Sequence, residues 1–277
     1  MLLINGHKAD HISVFDRGFQ YGDGLFETIE VLDGKPVFLS HHLQRLNAGC
    51  IKLKIPSPNI QLLNDEIKRV CQDEKSAVLK IIITRGIGGR GYRCPEKVEP
   101  TRAIGIFPYP DYPENYSNEG ISTFFCKTRL GLNPELAGIK HLNRLEQIMA
   151  RAEWNNPDVQ EGIMLDINGN VIEGTMTNLF YVKNKTVYTA VMEYTGVAGI
   201  IRAILKQLMI KNKVEFVEHN FNMAVLLDAD EVFVCNSIIG IWPVKQIENI
   251  SFMAGSVTKQ LQSWLSESKT CQTFYET

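Results

Sequence analysis

Alternating and β-branched apolar residues dominate the first hundred positions and predict a sheet accompanied by a few helices. Residues 25–40 are typical of a hairpin, because apolar positions alternate on both arms around Asp33-Gly34, a strong turn pair. The other predicted elements here are a helix over 40–53 with Ser40 as its N-cap, a helix over about 59–72, and strands over 77–85 and 101–109.

The second half of the chain shows the same mixture. Hairpins are predicted around Asn168-Gly169 and around 183–185. A helix over 141–154 is predicted to direct its apolar side chains inward. The remaining predicted elements are a strand over 121–128, a helix after Gly199, strands near 214–218, 230–235 and 239–244, and a last helix near 256–266. Because strands outnumber helices and hairpins are frequent, we expect a mixed α+β fold and not a doubly wound parallel sheet.

The segment 108–116, PYPDYPENY, is the best candidate for a boundary between domains. Its prolines stiffen the chain and remove backbone donors that a strand would need. We therefore predict a small N-terminal α/β domain over 1–107, a linker over 108–116, and a larger mixed-sheet domain over 117–277.

Composition excludes several classes of protein. With 44% hydrophobic and 22% charged residues, the 277-residue chain is an ordinary globular protein, and its net charge of −2 offers no global field for nucleic acid or an anionic membrane. The six cysteines form no CxxC pair, which favours reduced thiols over disulfides or a metal site. The N-terminus does not resemble a signal peptide, and no window approaches eighteen apolar residues. We expect a soluble cytoplasmic protein with no nucleic-acid or membrane partner and no metal.

One lysine and one carboxylate suggest a specific chemistry. Lys140 closes the stretch LGLNPELAGIK, and Glu173 opens the polar turn of EGTMTNLFY ahead of an apolar strand. Pyridoxal phosphate enzymes need an amine that forms a Schiff base with the cofactor aldehyde and a carboxylate that keeps the pyridine nitrogen protonated. An isolated lysine is usually a solvated surface residue, so the interpretation depends on the other motifs.

A glycine-rich loop, GIGGRG at 86–91, follows a predicted strand and matches the dinucleotide-binding spacing. That function requires a helix to begin at the loop, and Pro95 and Pro100 forbid a regular one. The loop carries Arg90 and Tyr92, which makes it either a flexible turn or an anion clamp at the mouth of a cleft.

Three further features are able to bind a phosphate group. They are Arg45 on the first predicted helix, the amides of Ile200 and Ile201 at the helix start after Gly199, and the polar pair Asn236-Ser237 at the end of a strand. Helix-start amides have no intrahelical acceptor and carry the positive end of the helix dipole. Each feature is weak evidence alone, and together with Lys140 they favour a pyridoxal phosphate site.

With these motifs the chain resembles the fold-type IV pyridoxal phosphate enzymes, the group of branched-chain and D-amino acid aminotransferases and aminodeoxychorismate lyases. The stretches that carry the resemblance are FDRGFQYGDGLFETIEV, HLQRL, TRGIGGRGY, GIKHLNRLEQ, EGTMTNLFY, GVAGIIR and CNSIIGIWPV. The resemblance implies the two-domain α+β architecture of that group, pyridoxal 5′-phosphate as cofactor, and a homodimer. It also implies that Lys140 is the Schiff-base lysine, that Glu173 binds the pyridine nitrogen, and that the three phosphate features hold the phosphate.

Within the group, LAGIKHLNRLEQ and GGRGY are most similar to the lyases, which make p-aminobenzoate and pyruvate for folate synthesis. This similarity implies that Lys140 removes a proton from the substrate and so starts an elimination. Thr28 would pass a proton to the departing oxygen, although threonine is also a common strand residue. Arg90 and Tyr92 are the candidates for the substrate carboxylates.

Two departures from the aminotransferases of the group bear on the activity. Ile201 stands where they tend to carry a hydroxyl residue, and Phe26 stands where D-amino acid aminotransferases place a tyrosine. The alternative function is still a branched-chain or D-amino acid aminotransferase, because the lysine and the glutamate would be shared. A non-catalytic pyridoxal phosphate carrier is the alternative from another class.

Overall fold

The computed structural model describes the backbone of residues 1–275 and the side chains of residues 1–270, and it divides into two compact units. Unit 1 contains Met1–Pro110 and Ile139–Asn143, and unit 2 contains Asp111–Gly138 and Arg144–Cys271. The main division lies between Pro110 and Asp111. The prediction assigned residues 139–143 to the larger domain, whereas their contacts place them in unit 1.

Unit 1 is an antiparallel sheet with helices packed against it. Its elements are β1 (Leu2–Ile4), β2 (His7–Lys8), α1 (Arg17–Tyr21), β3 (Gly24–Leu32), β4 (Lys35–Pro36), α2 (Leu39–Leu53), α3 (Ile60–Cys71), β5 (Ser76–Thr84) and β6 (Thr101–Pro108). The strand order is β2-β1-β6-β5-β3-β4, which makes β3 a neighbour of β5 along its whole length.

The first hairpin of unit 1 is confirmed, and the predicted cap of α2 is wrong. Asp33 and Gly34 have φ values of 47° and 75°, the left-handed conformations that a tight two-residue hairpin turn needs. α2 begins at Leu39, after Phe38 at φ 55°, and no side chain caps it. Phe38 is buried, so its packing and not the hydroxyl of Ser40 determines where the helix begins.

Unit 2 is a larger mixed sheet with helices. Its elements are α4 (Asn115–Asn118), β7 (Ile121–Leu130), α5 (Leu145–Arg151), β8 (Glu161–Asp166), β9 (Val171–Gly174), β10 (Asn178–Lys183), β11 (Thr186–Thr189), α6 (Ile200–Lys211), β12 (Phe216–Glu218), α7 (Met223–Leu227), β13 (Glu231–Asn236), β14 (Gly240–Ile247), β15 (Ile250–Ser251) and α8 (Ser256–Tyr275). The strand order is β12-β11-β10-β13-β14-β7-β8-β9, and β15 pairs with β14. β9 also pairs with β10, which places Glu173 opposite Asn178.

The predicted helix over 141–154 is largely wrong. Residues 139–143 lie along β3 without forming a regular strand: His141 makes an isolated antiparallel bridge with Leu25, Phe26 N donates to Lys140 O, and Leu142 N donates to Gly24 O, each at 3.0 Å. Only Leu145–Arg151 is helical. Of the five side chains predicted to point inward, Leu142 is half-buried, and Leu145, Ile148, Met149 and Ala152 are exposed. The apolar periodicity was real, but it marks a face that unit 2 leaves uncovered.

The predicted absence of a disulfide framework agrees with the described side chains. Cys50, Cys71, Cys126 and Cys235 are buried free thiols, and Cys94 is an exposed one. Among the helices that the structure describes, none combines the length and apolar character needed to cross a membrane. The mixed helix and sheet content confirms the α+β class.

Candidate active site

Lys140 lies beside one face of β3 in unit 1. Its Nζ is 4.3 Å from the centroid of the Phe26 ring, and the Nζ of Lys80 on β5 is 5.7 Å from the same ring. Thr28 lies on the same face of β3 as Phe26, because side chains two residues apart share a face, and it is paired in register with Lys80. Two amines therefore lie near the Phe26 ring, and the hydroxyl of Thr28 is on the same face of β3.

Lys80 was missed by the sequence analysis. The only signal for it was a single lysine that interrupts the apolar run AVLKIIITR. Its register opposite Thr28 depends on the β3–β5 pairing, which no local pattern specifies.

The opposite face of β3 carries a buried ion pair that includes the predicted phosphate residue Arg45. Glu27 is fully buried, and its Oε1 accepts a hydrogen bond from Arg45 Nε at 2.8 Å while its Oε2 accepts one from Arg45 Nη2. His42 Nδ1 lies 2.6 Å from Glu27 Oε2. Burial by itself would raise the pKa of Glu27, but Arg45 and His42 outweigh it and lower that pKa to about 2.

In unit 2, Glu173 is held by neutral hydrogen-bond donors. Its Oε2 accepts from Val197 N at 2.9 Å and lies 3.5 Å from Asn178 Nδ2, which also donates to Val197 O at 2.8 Å. Burial lowers the pKa of Arg144, and the nearby charges of Glu173 and Glu146 oppose that shift. Asn178 was also missed, although it is the polar residue that ends the EGTMTN motif.

The start of α6 has a glycine at its N-cap position. Gly199 is the N-cap, and no side chain caps the helix, so the amides of Ile200 and Ile201 have no intrahelical acceptor. A Cβ on Gly199 would lie 2.0 Å from Asn178 Oδ1, so a glycine is required there. The side chain of Ile201 is buried, which leaves its amide as the group able to contact an anion.

Asn236 has a structural role that the sequence did not predict. Its Oδ1 accepts from the amides of Ile238 at 2.8 Å and Ile239 at 2.9 Å, which shapes the turn after β13. Its Nδ2 donates to Met176 O at 3.1 Å, so it also holds the turn that follows Glu173. Direct phosphate contacts from Asn236 and Ser237 stay predictions.

The glycine-rich loop of unit 1 places both of its predicted substrate residues, Arg90 and Tyr92, in an exposed position. The loop is anchored to α1, because Arg17 Nη1 donates to Gly91 O at 2.9 Å and Gly91 N donates to Tyr21 OH at 3.2 Å. No helix follows it before β6 begins, which agrees with the rejection of a dinucleotide site. The anchoring keeps the loop backbone in place while the two side chains face solvent.

The donor groups fit pyridoxal 5′-phosphate. Taken by itself, unit 1 carries an amine in Lys140 and a guanidinium in Arg45. Unit 2 by itself carries a buried carboxylate in Glu173 and the uncapped amides of Ile200 and Ile201. Within the part of the chain that the structure describes, no three His, Cys, Asp or Glu side chains are grouped to hold a metal ion. These types of group suit an organic phosphate cofactor with a reactive carbonyl.

Comparison with known proteins agrees with this donor set. The family model for amino-transferase class IV matches residues 24–247. The chain belongs to this family. Class IV aminotransferases and the related lyases are pyridoxal phosphate enzymes, so the family and the cofactor predicted from the sequence are confirmed.

Individual relatives within class IV are similar over their full length. Aminodeoxychorismate lyase of Vibrio harveyi is 38% identical over 271 residues, which cover 96% of this chain and 100% of that protein. The crystal structure of 4-amino-4-deoxychorismate lyase from Pseudomonas aeruginosa superposes with a TM-score of 0.93 at 42% identity, covering 96% of this chain and 98% of that one. The branched-chain amino acid aminotransferase from Escherichia coli has a TM-score of 0.83 at 26% identity, with coverages of 95% and 91%.

Proposed function

We propose that this class IV protein is an aminodeoxychorismate lyase, which converts 4-amino-4-deoxychorismate to p-aminobenzoate and pyruvate for folate synthesis. The observation that carries the proposal is the full-length likeness to the Pseudomonas aeruginosa lyase, with a TM-score of 0.93 at 42% identity. The Escherichia coli aminotransferase has the same fold at a lower identity of 26%.

Five residues are proposed to hold the cofactor. Lys140 would bind its aldehyde carbon, Glu173 its ring nitrogen, and Arg45 with the amides of Ile200 and Ile201 its phosphate. When bound, pyridoxal phosphate supplies a carbonyl for the substrate amine and a protonated ring that takes up the electrons of a broken C–H bond.

The elimination needs one base and one proton donor from the chain. Lys140 Nζ takes the proton from the amine-bearing carbon of the substrate, and the bond from the neighbouring carbon to the enolpyruvyl oxygen then breaks. The Thr28 hydroxyl passes a proton to that departing oxygen, and the proton that Lys140 removed replaces it, so that both side chains end in their starting states. Lys140 Nζ lies over the Phe26 ring and Thr28 is on the same face of β3, so the two proton movements share one side of the strand.

The carboxylates of the substrate need cationic partners. Arg90 offers a planar fork that suits a carboxylate, and Tyr92 offers a hydroxyl from the same loop. Lys80 adds a second ammonium beside the Phe26 ring and is a further candidate for this contact.

The decisive experiment supplies 4-amino-4-deoxychorismate alone, with no keto acid present. The lyase forms p-aminobenzoate and pyruvate in equal amounts under these conditions. Strict dependence on 2-oxoglutarate would instead identify the alternative, an aminotransferase, which the similarity to the Escherichia coli enzyme favours. A protein that binds the cofactor and turns over neither substrate would be the non-catalytic carrier.

The proposed assembly is a homodimer. α5 exposes an apolar stripe in which Leu145, Ile148 and Met149 are 73%, 61% and 61% exposed, and a second copy of the chain would cover it.

Light scattering of the wild type should give twice the chain mass, and Ile148→Asp should give a monomer. Ile210→Asp, at a position 66% exposed on α6, is the matched control and should stay dimeric. A monomeric wild type would exclude the dimer. The cytoplasmic location stays a prediction.

A further inference from the structure

Glu27 is the most deeply buried carboxylate beside the proposed site and has no part in the proposed chemistry. Strand alternation directs it to the face of β3 opposite to Phe26 and Thr28. A carboxylate without exposure is costly unless charged and hydrogen-bonded partners compensate it. Packing of the core alone therefore does not explain why a carboxylate is present at this position.

The first partner of Glu27 is Arg45, and the geometry of the pair is bidentate. Nε and Nη2 of the guanidinium donate to the two carboxylate oxygens, which fixes both the plane and the rotation of the guanidinium. A guanidinium has five N–H bonds, and those on Nη1 and the second one on Nη2 point away from Glu27. The bidentate pair thus gives the remaining N–H bonds of Arg45 a defined direction.

The second partner is His42, which fixes the carboxylate itself. Glu27 is ionised and accepts only, so the proton of the 2.6 Å contact is on His42 Nδ1. Burial lowers the pKa of His42, the charges of Arg45 and Lys140 act in the same direction, and Glu27 opposes them. The imidazole therefore stays neutral and holds Glu27 without cancelling its charge.

We propose that Glu27 and His42 are positioning residues that orient the Arg45 guanidinium for the phosphate of the cofactor. This inference rests on the proposed function, because the phosphate is that of pyridoxal phosphate. The long Arg45 side chain is already ordered and its charge compensated before the cofactor arrives, so binding does not have to order it. Glu27 and His42 act through Arg45 and touch neither substrate nor cofactor.

The test compares two probes that differ only in the phosphate, namely pyridoxal phosphate and pyridoxal. Each is titrated into the cofactor-free full-length protein. The dissociation constant of pyridoxal divided by that of pyridoxal phosphate then measures the contribution of the phosphate to binding, and this quotient is the ratio used below. Glu27→Gln should lower this ratio by roughly tenfold or more, the effect typical of losing a group that orients a ligand-binding side chain. Affinity for pyridoxal should stay the same.

Glu30→Gln is the matched control. Glu30 is a buried carboxylate on the same strand, and it accepts a hydrogen bond from Tyr109 instead of Arg45. Removing its charge should leave the ratio as in the wild type. A purely structural role for Glu27 predicts the same unchanged ratio in Glu27→Gln, and that result would overturn the proposal, as would tighter binding of pyridoxal phosphate.

Two gentler variants decide the question if Glu27→Gln does not fold. Glu27→Asp keeps the charge and withdraws the oxygens by one methylene, and His42→Gln leaves Glu27 intact but removes its imidazole partner. Each should lower the ratio about threefold, a smaller loss because the ion pair persists. In Arg45→Gln, a second change at Glu27 should have no further effect, since the two residues act as one unit. An unchanged ratio in both gentler variants would refute the proposal.

The two proposals fail in different ways. If the wild type binds pyridoxal phosphate through Lys140 and forms p-aminobenzoate, but the ratio is insensitive to Glu27 and His42, only the positioning role is lost. If the wild type binds no pyridoxal phosphate, the proposed function itself is wrong.

Discussion

Two buried glutamates, Glu27 in unit 1 and Glu173 in unit 2, carry the same chemical group in contrasting surroundings. Glu27 shares its oxygens between the Arg45 guanidinium and His42, whereas Glu173 accepts hydrogen bonds from the amides of Val197 and Asn178 and has Arg144 as a nearby charge. A carboxylate paired with an internal cation orients that cation and is compensated by it. A carboxylate whose hydrogen bonds come from amide groups is fixed in place without orienting a guanidinium. The surroundings, and not the residue type, separate a positioning role from a cofactor contact.

The largest expected effect concerns Lys140, the amine of the proposed site. Lys140→Ala should reduce p-aminobenzoate formation by roughly four orders of magnitude, because both the covalent link and the base are removed. The visible absorbance of the bound cofactor should disappear as well. Lys127→Ala, at an exposed position on β7, is the control and should retain both signals. Turnover by Lys140→Ala at the parental rate would refute its assigned role.

The glutamates themselves give the sharpest contrast. Glu173→Gln should keep the cofactor bound but lower turnover roughly a thousandfold, since the ring nitrogen loses the partner that keeps it protonated. Glu27→Gln should weaken cofactor binding while turnover at saturating cofactor stays near that of the wild type. Absorbance titration and steady-state kinetics on both variants check this. If both variants lose cofactor affinity, or both lose turnover, the two glutamates do not have the different roles proposed here.

Thr28, the proposed proton donor, lies on the face of β3 opposite to Glu27. Thr28→Val preserves the shape and removes the hydroxyl, and it should lower kcat by about tenfold, the cost of one lost hydrogen bond to a developing charge. Thr28→Ser should recover most of the rate. If the valine variant turns over as fast as the serine variant, Thr28 is a strand residue and no more.

The exposed loop should affect binding more than chemistry. Arg90→Gln should raise KM by about tenfold with kcat retained, because a charged contact to a substrate carboxylate is lost. Arg93→Gln is a close control, since Arg93 lies in the same segment and makes only a long, exposed contact to Glu96 at 3.9 Å. Equal KM values for the two variants would remove Arg90 from the site.

The smallest expected effect is a pH dependence of stability from His42. Its pKa is lowered from 6.5 by burial, so below that pH an unfolded chain binds a proton that the folded protein does not. The free energy of unfolding of the wild type should therefore fall as the pH drops from 7.5 to 5.5, relative to His42→Gln, by at most about 1.4 kcal/mol per pH unit. The groups that act on His42 are Glu27, Arg45 and Lys140, of which none titrates in this range in an unfolded chain. Urea titrations at several pH values measure the difference, and parallel curves would contradict it.

Local patterns predicted most strands, the hairpin at Asp33-Gly34 and the glycine-led start of α6, because turn chemistry and apolar alternation are properties of neighbouring residues. They failed at α5, where the helix is half as long as predicted and its apolar stripe faces outward. An apolar periodicity predicts that one face of a helix will be covered, but it does not indicate which part of the molecule covers it. The apolar face of α5 is not covered by unit 2.

The sequence by itself determined the class of protein: the α+β content, the Lys140 and Glu173 motifs, and the pyridoxal phosphate family to which they belong. Only the tertiary structure decided that residues 139–143 lie along β3 in unit 1, that Lys80 stands opposite Thr28, and that Glu27 and His42 hold Arg45. The physical reason is that motifs record which groups are present, whereas pairing partners across a sheet depend on register between strands far apart in the chain. The sequence therefore predicted the identity of the reactive groups, and the fold determined which neighbours orient them.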